Sequence, residues 1–387
     1  MLPKESNCCS CLACMDICKV GAITTKVDKE GFIYPEINIE KCVKCGLCER
    51  ICPVLNSKQK ENSKIKKIYA GYIRNEEKLN KSASGGIATA ISEYFIKNGG
   101  IVIGVEYTKD FKNVEYTIID NEEDLDKIKS SKYIQSNKNS IYKKVKQKLN
   151  DNINVLFIGL PCEIAGLKNF LMKDYSNLYT CALICMGPTS QKVEKEYIEH
   201  FEKKRKSKVK SFNLRSKVNG WGPPNHIKIE FENGKEYIKP FNETEYGNAF
   251  QILSKPSCLN CKFKIDNTYA DISIGDYWGI EKDSKIYNKK GVSIIFIHNC
   301  KMDKMINSLN ELIKIEIGYE EAIKNNEMII NSRKLDKRRT KYSKKFIKSG
   351  LFRANKSVDA WYKKIIPNRI KTKIKKQMGG IVWLQLD

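Results

Sequence analysis

The sequence predicts an α+β / α/β chain in three parts: a small cysteine-built module, a larger mixed α/β domain and a basic, partly helical tail. Three observations predict it. Two matching cysteine runs lie within the first 52 residues; short β-branched segments then alternate with segments of helical period; and Lys and Arg crowd the stretch from residue 331 onward. The boundaries that follow are 1–56, 66–330 and 331–387.

The first part is defined by Cys8-x-x-Cys11-x-x-Cys14-x-x-x-Cys18 and Cys42-x-x-Cys45-x-x-Cys48-x-x-x-Cys52, the second run closed by Pro53. This is the spacing of a bacterial ferredoxin with two [4Fe–4S] clusters. Thiolates two residues apart wrap three corners of one cube, and the fourth starts a turn toward the other cube. One cluster is therefore expected on Cys8, Cys11, Cys14 and Cys52, and the other on Cys42, Cys45, Cys48 and Cys18. Structural zinc also takes C-x-x-C pairs, but it accounts poorly for two matching runs of four. The N-terminus has no charged-then-apolar signal segment and no apolar run approaches 18 residues. With 15 cysteines, this points to metal-bound or reduced thiols, a cytoplasmic protein and no transmembrane segment.

The formal net charge is +25. Of the 70 basic residues 61 are Lys and 9 are Arg, whereas base and phosphate recognition favours the planar Arg fork. Specific nucleic-acid binding is not expected, and a basic nucleic-acid-binding protein with structural clusters is only a remote alternative. An acidic protein partner or an anionic cofactor fits the charge better. The tail, 331–387, holds 18 Lys or Arg against 3 acidic residues and includes Trp361 and Trp383. It reads as a solvated amphipathic appendage, with docking to an anionic surface as the alternative.

Between module and domain, Asn56–Lys67 is polar and Lys-rich, as linkers are. Buried strands are expected at Ile68–Ile73, Ile101–Tyr107, Val114–Ile119, Val155–Ile158 and Leu178–Ile184. Helices are expected at Ile87–Lys97, Glu122–Lys129, Ser140–Leu149 and Glu163–Leu171. From Ser211 to Lys239 the pattern turns hairpin-like about Asn233-Gly234. Later strands follow at Asp271–Gly275 and Val292–His298.

Several short motifs carry chemistry. Lys81-Ser82-Ala83-Ser84-Gly85-Gly86 opens a helix, where small residues and unpaired N–H groups admit an anionic ligand; Ser84 acting only as an N-cap is the plainer alternative. Ser130 to Ser136 (SSKYIQS) offers a cation and an aromatic face. Gly159-Leu-Pro161-Cys162-Glu163 and Ile184-Cys185-Met186-Gly187 each close a strand, where ligands gather in parallel sheets. With Cys258-x-x-Cys261 they supply four thiols, enough for a third [4Fe–4S] cluster or a zinc, unless the first two are buried packing residues and the pair is redox-active or structural. Cys9, Cys181 and Cys300 fit no pattern and are expected to pack. His200, His226 and His298 are expected to be structural. Asp276 and Lys132 are candidate proton donors or charge partners, and no other acid or base stands out.

In their order along the chain, the twin cysteine runs, SASGGI, SKYIQS, GLPCEIAGL, ICMG, PSCLNCKFK and DISIGDYWG resemble the family of coenzyme F-420 hydrogenase/dehydrogenase beta subunits. The resemblance spans about Cys8 to residue 330. It implies FAD beside iron–sulfur clusters in a flavin-type α/β domain, with Ser82, Ser84, Gly85 and Gly86 lining the flavin and Lys132, Tyr133 and Gln135 on its other side. It further implies an iron–sulfur flavoprotein oxidoreductase. Electrons would pass between a ferredoxin-like or other redox protein, the clusters, FAD and a small organic two-electron acceptor, in some members a deazaflavin. A non-catalytic subunit that wires a partner enzyme is the alternative. Lys19 stands where the family has Pro and Ala83 where it has Ser. Glu163 stands where the family often has Gln, and its negative charge is expected to disfavour an anionic cofactor nearby.

Overall fold

The computed structural model describes residues 2–56 and 65–365. Most of the expected linker, and Trp383, lie outside the described residues. The N-terminal module is a hairpin of β1 (Ile23–Val27) and β2 (Ile33–Ile37) between two short helices, Ala13–Ile17 and Leu47–Arg50. Its strands pair antiparallel, Ile23 opposite Ile37 and Val27 opposite Ile33.

The large domain is built on β3 (Lys67–Ile73), β4 (Ile101–Tyr107), β5 (Val114–Ile119), β6 (Val155–Gly159) and β7 (Leu178–Leu183). A separate three-stranded antiparallel sheet follows: β8 (Val209–Ser216), β9 (His226–Phe231) and β10 (Glu236–Pro240), the last two turning at Asn233-Gly234 as expected. The chain then returns with β11 (Ile272–Asp276), β12 (Ser293–Ile297) and β13 (Leu312–Glu316). The main sheet has eight strands in the order β13-β3-β12-β11-β7-β6-β4-β5. Its centre, β4-β6-β7-β11, is parallel; β5 on one side, and β12, β3 and β13 on the other, are antiparallel. Strand–helix alternation produces the parallel centre, because each crossover helix covers a face of the sheet.

The strands and helices expected from residue 68 to residue 183 are present with small shifts. One differs more: the helix expected at Glu122–Lys129 covers only Leu125–Ile128. Asn121 caps the preceding turn, its side chain bonding Asp120 and Asp124 and accepting the Asp124 N–H, an arrangement that competes with helix.

The module is docked on the domain by specific bonds. Tyr142 donates its N–H to Asp16 (3.1 Å) and its hydroxyl to the Cys11 carbonyl (2.9 Å). Ile33 donates to the Gln135 side chain at 2.9 Å. Arg339, from the start of the helix Arg339–Ser349, forks onto Glu30 at 3.0 and 2.7 Å. That helix and the next, Leu351–Ile365, bury Tyr342, Phe346, Leu351, Ala354 and Val358 in the core that also holds Cys8, Phe32, Tyr34 and the helix Gln191–Arg205. The first half of the basic tail is thus packed on the body. Its apolar residues fall on one helical face, and burying that face outweighs the cost of ordering a Lys-rich segment.

Candidate functional site

Both cysteine runs wind the same way. Ser10 and Leu12 flank Cys11 with φ of 54° and 61°; Lys44 and Gly46 flank Cys45 with φ of 54° and 72°. Left-handed residues are strained unless glycine, so their repetition at matching positions means the loop shape is imposed for a purpose. Such turns aim successive N–H groups inward, and concavities of this kind hold anions and iron–sulfur centres. The surroundings of the two runs differ. Cys8, Cys11, Cys14 and Cys52 are buried, whereas Cys18, Cys42 and Cys48 are partly exposed and Cys45 is exposed. Helix Pro161–Leu171 covers the first set so closely that a Cβ on Gly166 would sit 2.9 Å from the Cys11 sulfur. The Ala22 N–H donates to the Cys18 sulfur at 3.3 Å.

Behind the first set lies a cavity of about 260 Å³ lined by Cys9, Cys162, Cys185, Cys258 and Cys261. Cys162 follows β6 and Cys185 follows β7, at the carboxyl ends of parallel strands; Cys258 and Cys261 sit on and just after the short helix Pro256–Asn260. The four thiols that the motifs singled out therefore meet at one place. The Gly187 N–H donates to Cys185 at 3.1 Å, and a Cβ on Gly187 would stand 2.9 Å from the Cys258 sulfur. Burial pushes the thiols up, Cys185 to about 11 and Cys258 to about 12. Among the described residues no group of three or more His, Cys, Asp or Glu is arranged to hold a single metal ion.

Two of the three unassigned cysteines depart from simple packing. Cys9 packs against the apolar core and in addition lies against Cys11 and Cys162 and lines the cavity. Only the Cys8-Cys9 doublet hints at this in the sequence, with adjacent side chains pointing to opposite sides of the loop. Cys181 is fully buried among apolar residues, as expected, whereas Cys300, also expected to pack, is exposed at a helix start.

Lysines on the wall of this cavity, buried Lys255 with Lys262 and Lys264, form no ion pair with a carboxylate among the described residues, and buried Arg333 lies near its cysteines. Lys262 donates to the Val54 carbonyl, Lys264 to those of Cys185 and Met328, and Arg333 to those of Met186 and Gln251. Lys138 differs, for it pairs with Glu163 at 2.5 Å. Glu163 also accepts from Tyr116 (2.6 Å), Ser136 and the Leu160 N–H. Burial would raise its carboxyl, but the Lys138 charge and these donors outweigh burial and hold it below the ordinary range. The negative charge expected to repel an anionic cofactor is therefore neutralised inside the fold.

A second cavity, about 410 Å³, adjoins the first; Leu183 to Pro188 lie on the walls of both. Ser82, Ser84, Gly86, Lys132 and Tyr133 line it, beside the start of the helix Ile87–Lys97. Gly85 instead packs flat on the sheet, donating to Ser293 at 2.9 Å; a Cβ there would sit 2.4 Å from the Gly71 carbonyl. Gln135 does not join them. It lines the thiol cavity, because its side chain is spent on Ile33.

Lys132 donates to the Lys129 carbonyl at 2.9 Å, and burial pulls its ammonium down to about 8. Asp276 is not free to donate a proton. Arg215 forks onto it at 2.9 and 2.8 Å, and the Trp221 indole N–H donates to it at 2.8 Å. Arg215 also donates to the Tyr133 hydroxyl (3.2 Å) and the Ala83 carbonyl (3.1 Å), so one guanidinium ties both motifs to the end of β11. Trp221 and Trp278 stack with centroids 5.2 Å apart. Lys217 donates to the carbonyls of Leu79 and Ser84. Arg215 belongs to no sequence motif; the rarity of Arg among the lysines is the one cue to it.

The three histidines are structural: His200 stacks on Phe352, His226 bonds Asn219, and His298 bonds Ser273. Among the described residues no helix is long and apolar enough to cross a membrane.

Residues 7–56 match a 4Fe-4S dicluster domain. Residues 68–143 and 153–322 match the N-terminal and C-terminal parts of the coenzyme F420 hydrogenase/dehydrogenase beta subunit. The chain is 23% identical over 348 residues to the coenzyme F420-dependent sulfite reductase of Methanocaldococcus jannaschii, covering 88% of this chain but 52% of that protein. It thus spans about half the length of that relative. It is 22% identical over 286 residues to a subunit of the F(420)H(2) dehydrogenase of Methanosarcina mazei, covering 70% of this chain and 76% of that one. A chain of the F420-reducing [NiFe] hydrogenase complex from Methanosarcina barkeri superposes with a TM-score of 0.47 at 20% identity, covering 77% of this chain and 92% of that one. The chain belongs to the family of coenzyme F420 hydrogenase/dehydrogenase beta subunits, joined to a 4Fe-4S dicluster domain.

Proposed function

We propose that the chain is an iron–sulfur flavoprotein that moves electrons between an external redox protein and an organic two-electron acceptor. The observation that carries the reading is the series of sites: cysteine module, thiol cavity and larger cavity, each sharing residues with the next. The residues fit the groups. Cys8, Cys11, Cys14 and Cys52 would hold the inner N-terminal cluster, and Cys18, Cys42, Cys45 and Cys48 the outer one. Cys162, Cys185, Cys258 and Cys261 would hold a third. Unpaired cations around that cavity suit an anionic cluster with four thiolates. Ser82, Ser84, Gly86, Lys132 and Tyr133 would hold FAD, with Gly85 setting the close approach of the loop. Bound there, FAD would couple one-electron transfer to two-electron chemistry.

The chain's own groups have definable tasks. The helix start at Ile87 offers N–H groups to an anion. The Lys132 ammonium supplies positive charge to the cavity, and with its value pulled down to about 8 by burial it is suited to donate a proton there. Arg215 fixes Tyr133 and the Ser82–Ser84 loop in register. A deazaflavin of the F420 type is the acceptor to try first, since both curated relatives are named for it.

Anaerobic purification with iron, sulfide and flavin analysis tests the reading. About twelve irons per chain with one flavin is expected. About eight irons with a flavin removes the third cluster. Iron without flavin, even after incubation with FAD, refutes the flavoprotein reading and leaves an electron-wiring subunit.

A further inference from the structure

Lys255 is the least explained charge in the molecule. It is 1% exposed and lies between the N-terminal module and the thiol cavity. Its ammonium stands 3.4 Å from the Tyr34 ring centroid and 5.3 Å from that of Phe32. Among the described residues its ammonium has one hydrogen-bond acceptor, the Ile33 carbonyl at 3.3 Å. Among the described residues no carboxylate pairs with it. Asp28, the nearest acidic group to act on it, is committed to the N–H groups of Glu30 and Phe32 at 2.9 Å.

Burying an ammonium is costly even after relaxation, and a desolvated cation–π contact with one long hydrogen bond offsets only part of that cost. The deficit calls for an anion. The groups around Lys255 that could supply it are thiols on both sides: Cys8 and Cys9 from the module, and Cys258 from the cavity. The chain path enforces this, because Lys255 is tied to Pro188 through its N–H (3.3 Å) and accepts the Cys258 N–H (3.0 Å) through its carbonyl.

We propose that Lys255 is a fixed positive charge shared by the inner N-terminal cluster and the third cluster, and that it raises the reduction potential of both. Reduction adds one electron, and hence one negative charge, to a cluster, and a neighbouring ammonium favours that state. Lys255 acts through the clusters' environment and is a positioning residue for charge. The half that concerns the third cluster rests on the function proposed above; the half that concerns the inner cluster does not.

The test is an EPR-monitored redox titration of the full chain, prepared anaerobically, as wild type, Lys255→Met and Lys255→Arg. The outer cluster's signal is identified by its loss in Cys45→Ser. Lys255→Met should shift the inner and third signals to more negative potential and leave the outer one in place, while Lys255→Arg should stay near wild type. Unmoved potentials in Lys255→Met at full iron content would overturn the proposal. So would an equal shift of all three signals, or a shift in Lys255→Arg as large as in Lys255→Met. If Lys255→Met fails to hold iron, Lys255→Gln takes its place under the same criteria. A wild type with about eight irons removes the third cluster but leaves the inner cluster's shift to decide the role of Lys255.

Discussion

The outer and inner halves of the cysteine module share one motif and one backbone shape, yet they occupy opposite environments. The outer run lies at the surface, with Cys45 exposed and the apolar side chains of Ile39 and Val43 open to solvent. The inner set is roofed by the helix Pro161–Leu171 and bonded to Tyr142. Identical local chemistry is thus placed once where a partner can reach it and once where only the domain can. Cluster potentials respond to solvent exposure and hydrogen bonding as well as to ligands, so the two halves should behave differently.

The largest expected effect separates them directly. Cys14→Ser should lose about four irons and also loosen the joint with the domain, lowering the thermal midpoint. Cys45→Ser should lose the same iron while leaving that midpoint nearly unchanged. Iron analysis with calorimetry checks this, and equal destabilisation by both would break the comparison.

The Lys138–Glu163 pair is a second test of how rigid the inner side is. Lys138→Met leaves a buried carboxylate uncompensated and should cost about 3–5 kcal/mol. Urea unfolding of matched metal-free proteins measures it, so that cluster loss does not enter.

Glu194 sharpens the contrast through pH. It is fully buried in the domain core, against Tyr246. Burial raises its carboxyl from 4.5 to about 8, although the Tyr246 hydroxyl donates to it at 2.6 Å. The native core prefers the protonated form. Its contribution to stability is fully present below about pH 4.5 and is lost as pH rises through about 8. Glu194→Gln should therefore be neutral in acid and more stable at neutral pH by about 3 kcal/mol. Denaturation midpoints that fall in parallel with wild type from acid to neutral pH would contradict this.

The smallest effect concerns the clamp from the tail. Arg339→Ala releases Glu30 at the turn of the module's hairpin and should cost about 1 kcal/mol. Limited proteolysis should then cut the module sooner, and an unchanged rate would mean that the Tyr142 and Ile33 bonds hold it alone.

Much of this is legible in order along the chain. The bounds of β4 and β5 follow from the sequence to the residue, because alternation and β-branching are local signals. The Cys162, Cys185 and Cys258–Cys261 motifs stand out as a set because parallel strands deliver their carboxyl ends to one edge. Gln135 reads with the loop of Lys132 and Tyr133. Its side chain instead accepts the Ile33 N–H and so reaches the module, a partner that lies 102 residues away in the chain. Lys255 and Lys138 carry no signal, since a lysine in a Lys-rich chain looks solvated until its neighbours are known. The expectation of a solvated tail fails in its first half for a related reason. Its basic residues are conspicuous, while its apolar face gains meaning only from the surface that receives it.

The sequence by itself determined the cysteine spacing, and with it the ferredoxin-type module, the alternation of strands and helices, and the family. These are properties of near neighbours in the chain, where a few residues fix the local geometry. The tertiary structure alone decided which four thiols are buried, that Cys9 joins the second set, and that Lys255 stands between them. Burial and charge pairing depend on groups brought together across more than two hundred residues, and no local pattern records that distance.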